Sequence, residues 1–119
     1  MGADLYMLKK SPKIWGFERS GRAVKDGYFR DPYNTRSVLR KYELSWWQDI
    51  IPLQDEKGIL SVEKVADLLS MLESRESIFQ KNLKGEKEAA QADFKEGARL
   101  LKQFLSDAIK LNSPIEASL

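Results

Sequence analysis

The residue spacing in the second half of this 119-residue chain constrains its fold most strongly. Val62, Val65, Leu68, Leu69 and Leu72 recur at intervals of three and four, as do Ala90, Phe94, Ala98, Leu101, Leu105 and Ala108. That period puts each set on one side of an α-helix, with charged residues opposite. Ser61 is a natural cap for the first helix, and Leu60 is placed to pack on Val65 as a hydrophobic staple. Ser77 with Gln80 offers a restart carrying Ile78, Phe79 and Leu83. Lys84-Gly85 ends the unit, and Asn112-Ser113-Pro114 ends the last helix. The expectation is two long amphipathic helices, roughly 61–83 and 86–111, packed antiparallel with their stripes as core.

The first half is less regular. Residues 3–8 alternate weakly, with Leu5 and Met7 to one side and Asp4 and Tyr6 to the other. Residues 115–119 alternate as well, so the two ends are placed to form a minor strand pair backed by the helices. Residues 9–27 contain Pro12, Gly16, Gly21 and Gly27 and read as a basic loop or weakly ordered arm. Asp31 before Pro32 is a good helix start, with Asn34 competing one turn later. A helical segment over 34–51 is expected to pack across the long helices. Glu43-Leu44-Ser45 is placed to interrupt it, Ser45 and Gln48 have capping-box spacing for a second short helix from Trp46 to about Ile51, and Pro52 stops that helix. The fold class expected is therefore mainly α: one small helical domain over residues 1–119.

Composition narrows function. The chain has no Cys and no His. Histidine- and cysteine-based nucleophile pairs, metal sites and bases are thereby excluded. No catalytic residue, cofactor or metal is expected, and the enzyme reading ranks third. Lack of cysteine, of a signal-peptide pattern and of a bilayer-length apolar run leads to a cytoplasmic expectation with no membrane partner. Gly16 to Ala23 has the glycine spacing of a phosphate-binding loop, but Arg22 and Ala23 stand where Lys and Ser/Thr belong. Asp55 to Ser61 resembles part of a calcium loop, with Lys57 and Lys64 at ligand positions, and reads as a plain turn.

Two surfaces remain. Residues 1–42 hold ten Lys/Arg against four Asp/Glu. Lys9, Lys10, Lys13, Arg19, Arg22 and Lys25, interleaved with Trp15 and Phe17, make nucleic-acid association the alternative function. The segment Tyr28–Asp49 is the richer one: Tyr28, Arg30, Asp31, Tyr33, Asn34, Trp46, Trp47 and Asp49. Trp46 and Trp47 are adjacent, about 100° apart on a helix, so both cannot point into one core. Trp, Tyr and Arg are the residue types that anchor protein interfaces. A protein-binding or regulatory module without catalysis, working through this face on a protein partner, is the preferred reading.

The blocks Met1-Gly2-Ala3-Asp4-Leu5-Tyr6, Gly27-Tyr28-Phe29-Arg30-Asp31-Pro32-Tyr33-Asn34, Leu44-Ser45-Trp46-Trp47-Gln48-Asp49 and Asn112 to Leu119 resemble a group of small bacterial proteins with no assigned activity. The resemblance covers about a third of the chain. It implies a bacterial cytoplasmic protein and supplies no chemistry.

Overall fold

The computed structural model describes residues 2–8 and 27–119. The basic segment, with Lys9, Lys10, Lys13, Arg19, Arg22 and Lys25, lies outside the described residues.

The fold is mixed α/β, which corrects the mainly α expectation. A four-stranded antiparallel sheet runs in the order β2-β1-β4-β3. Its strands are β1 (Gly2–Met7), β2 (Tyr28–Pro32), β3 (Ile59–Leu60) and β4 (Ile115–Ser118). The strands from the two ends of the chain are its two central members, rather than a minor addition to a helical core. Leu5 sits opposite Phe29 on one side and Ala117 on the other. Ile115 sits between Met7 and Leu60. All of these are buried, and they form one apolar face.

Helices cover that face. α1 is a single turn (Val38–Lys41), followed by a π-helical turn at Trp46–Ile50 and a 3-10 turn at Ile51–Leu53. The helical segment expected over 34–51, with an interruption at Glu43-Leu44-Ser45, is thus a single turn before that break and two short turns after it, the last running past Pro52 to Leu53. The helix expected to begin at Asp31-Pro32 is instead the end of β2. α2 (Val62–Ser74) and α3 (Glu76–Leu83) are separate helices. The break falls at Arg75, whose Nη1 donates to the Tyr42 carbonyl at 3.2 Å. The change of direction lets Phe79 stack on Tyr42, ring centroids 4.5 Å apart. α4 (Glu88–Lys110) buries Phe94, Ala98, Leu101, Leu105 and Ala108 along its stripe. Phe104 widens the stripe and meets Phe29 of β2 at 6.1 Å. Among the described residues no helix is long and apolar enough to cross a membrane.

Gly2 packs against β2 so closely that an added Cβ would lie 2.8 Å from the Asp31 carbonyl oxygen. The first strand thus comes within backbone distance of the residue on which the site is built.

Candidate functional site

Asp31 is the residue around which the region between β2 and the π-turn is organised. Strand alternation turns it to the helix-covered face, beside Phe29, where it is fully buried. A buried carboxylate is tolerated only when its lone pairs are used. Here Oδ2 accepts from Ser37 Oγ at 2.6 Å, the Trp46 indole N–H at 2.8 Å and the Leu39 N–H at 3.3 Å. Oδ1 accepts from the Val38 N–H at 2.8 Å. Asp31 therefore caps α1 from a neighbouring strand, and the same carboxylate holds Trp46. Burial pushes its pKa up, opposed first by the Ser37 and Val38 hydrogen bonds and then by Trp46.

Ser45 opens the π-turn by accepting the Trp47 and Gln48 N–H groups on Oγ at 3.2 and 3.3 Å. Asp49 Oδ2 reaches back to the Ser45 N–H at 2.7 Å. The turn places the two tryptophans in opposite settings. Trp46 is buried, with its N–H on Asp31, whereas Trp47 is 58% exposed. Tyr33 lies edge-on to Trp47, centroids 6.0 Å apart. The Tyr33 hydroxyl is buried with no hydrogen-bond partner among the described residues. Burial, with the Asp4 carboxylate adding to it, raises its pKa.

Tyr33, Trp46 and Trp47 line a cavity of about 430 Å³ together with Arg40, Glu43 and Asp49. The backbone at Glu43 is unusual. Its φ is +58°, and Asn112 is the other non-glycine residue with positive φ among those described. Both stand just past a helix. Glu43 N–H donates to Arg40 and Leu44 N–H to Leu39, at 2.9 and 3.2 Å; Asn112 and Ser113 repeat the pattern on Ile109 and Ala108. These are two Schellman caps, a motif whose left-handed position favours glycine and tolerates asparagine. Asn112 fits that preference and Glu43 does not. A left-handed non-glycine residue costs about 1–2 kcal/mol. Replacing Glu43 by Gly relieves that strain but adds unfolded-chain entropy, so we expect a net gain of about 0.5 kcal/mol, read as a raised Tm. A lower Tm for Glu43→Gly would show that the Glu43 side chain contributes to stability.

The eight residues singled out between Tyr28 and Asp49 do not form one surface. Tyr28 and Arg30 belong to the opposite face of the sheet. There the Tyr28 hydroxyl donates to Asp4 Oδ1, and Arg30 Nη1 lies 3.7 Å from the same oxygen. Burial and Asp4 together raise the Tyr28 pKa. Asp31 and Trp46 form the buried hub. Asn34 closes a turn by accepting the Arg36 N–H at 2.8 Å. Asp49 holds the start of the π-turn, and Tyr33 and Trp47 form the aromatic wall of the cavity. Sequence reasoning missed Ser37, Arg40 and Glu43. Only Ser37, a hydroxyl just before an apolar pair, carried a capping signal.

No protein-family model, no curated protein and no solved structure matches this chain, so function is read from the geometry of the site itself.

Proposed function

We propose that this chain is a bacterial, cytoplasmic protein-binding module that receives a partner's side chain at the Tyr33–Trp47 cavity and works by contact rather than catalysis. The observation that carries this reading is Trp47: a large aromatic side chain 58% exposed, edged by Tyr33 and mounted on a turn held by Ser45, Asp49 and the buried Trp46–Asp31 hydrogen bond. Rigid, exposed aromatics beside an arginine are the usual centres of binding energy at interfaces. π-helical turns are rare and gather at functional sites. The cysteine-free composition suits a reducing compartment, and the resemblance of the terminal and tryptophan-bearing blocks supports the bacterial setting.

The test compares wild type with Trp47→Ala in pull-downs from lysate, with and without nuclease. Trp47→Ala removes a mostly exposed side chain and its edge contact with Tyr33, so it should cost about 1 kcal/mol and leave the protein folded. It is expected to lose a stoichiometric protein that wild type retains after nuclease treatment. Retention of that protein by Trp47→Ala would sink the reading. Captured material that vanishes with nuclease and salt would favour the nucleic-acid alternative.

A further inference from the structure

We propose that the occupant of the cavity is an arginine side chain of the partner protein, held between the Trp47 face and the Glu43 carboxylate. The proposal rests on the binding-module reading and names the chemistry the pocket selects.

The charges around the cavity are two carboxylates, Glu43 and Asp49, against one guanidinium, Arg40. Asp49 is engaged with the Ser45 N–H. Among the described residues the Glu43 and Arg40 side chains have no ion pair or hydrogen bond, although they stand three positions apart at the end of α1. An exposed indole face attracts a cation through its quadrupole, and a carboxylate beside it adds a bidentate acceptor for a planar guanidinium. Arginine satisfies both at once, whereas lysine offers a single point charge, and a carboxylate ligand would pair with Arg40 alone and gain nothing from the indole face.

Glu43 ties this chemistry to the backbone. At the α1 cap glycine would be more stable, and the α4 cap uses asparagine. At the α1 cap stands a carboxylate that makes no hydrogen bond or ion pair among the described residues and lines the same cavity as Trp47. Its role is assigned outward, to the partner.

The experiment uses the full chain, 15N-labelled and titrated with blocked hexapeptides identical except for a central Arg, Leu or Glu. The readout is the Trp47 indole N–H signal, assigned by its loss in Trp47→Phe. The arginine peptide should shift it saturably and bind about tenfold or more tighter than the other two. Glu43→Gln should remove that preference. Glu43→Gly should remove it as well while raising Tm, which separates lost recognition from lost folding. Equal binding of the leucine peptide at Trp47 would overturn the arginine assignment and leave the binding module standing. The arginine assignment also falls alone if the glutamate peptide binds best and Arg40→Ala, not Glu43→Gln, abolishes that binding. If no peptide moves the Trp47 signal at millimolar concentration, the arginine assignment and the binding-site reading both fall.

Discussion

Asp31→Ala should come close to unfolding the protein. The substitution leaves the Val38 and Leu39 N–H groups, the Ser37 hydroxyl and the Trp46 indole N–H without the acceptor they share. Each buried donor left unpaired costs about 1–3 kcal/mol, and breaking a buried charged network costs about 3–5 kcal/mol. Against a total stability of about 5–15 kcal/mol for a domain this size, the loss is a large share. Asp31→Asn should cost less. With its amide oxygen at the Oδ2 position it keeps three of these four bonds and turns its NH2 group against the Val38 N–H. Chemical denaturation should therefore rank wild type above Asn and Asn above Ala. An Ala variant as stable as wild type would mean that the hub does not hold the site together.

The same residue sets a pH dependence. Burial raises the pKa of Asp31 in the folded protein above its ordinary value. Between the two values the folded state holds more protons than the unfolded state, so stability falls as pH rises through that window and is level above it. The window opens at about pH 4, the ordinary carboxylate value, and extends upward. Asp31→Asn should remove this component. The stability difference between wild type and Asp31→Asn should then be larger in wild type's favour at the acid end and shrink as pH rises. A difference that grows with pH would mean that the hydrogen bonds to the carboxylate outweigh its desolvation.

The parts of the fold legible in the sequence are those where one physical signal acts alone. The stripe of α4 needs only its period. Ser61 caps α2 by accepting the Lys64 N–H at 3.3 Å, as its position before the first apolar residue indicates. β1 and β4 alternate cleanly because their inward residues are apolar. β2 escaped because its inward pair is Phe29 and Asp31. A carboxylate at a core position breaks the period-two pattern, and Asp beside Pro is also the chemistry of a helix start. The four donors that make that burial tolerable come from Ser37, Val38, Leu39 and Trp46, and are invisible to local reading. Without β2, and with β3 only two residues long, the sheet reduces in sequence to a terminal pair, which produced the mainly α expectation. Glu43 was illegible for a related reason: nothing in Tyr42-Glu43-Leu44 marks a left-handed residue, since neither Gly nor Asn stands there. The pocket was half legible, because the Trp46-Trp47 adjacency requires one ring outward but does not say which.

A chain ending at Pro114 provides the strongest test of where the fold's stability resides. If helix packing alone carried the domain, losing residues 115–119 would trim an ornament. In the sheet, β4 lies between β1 and β3, so its removal leaves β3 with no strand partner and β1 with β2 alone. A two-stranded ribbon is marginal in water. The buried row Met7–Ile115–Leu60 is cut at its middle, and α2 and α4 lose the apolar platform they cover. The truncated chain is expected to lose cooperative melting and much of its helical circular dichroism, because the helices are stable chiefly through the face they bury. Ile115→Ala gives the graded version. It should remain folded but lose about 2–5 kcal/mol, the cost of emptying a fully enclosed aliphatic site. A truncated chain that still melts cooperatively near the wild-type temperature would place the stability in the helices and make the sheet their dependant. A collapse, with Ile115→Ala between, would show that the two ends of the chain must meet before α2 and α4 have anything to pack on.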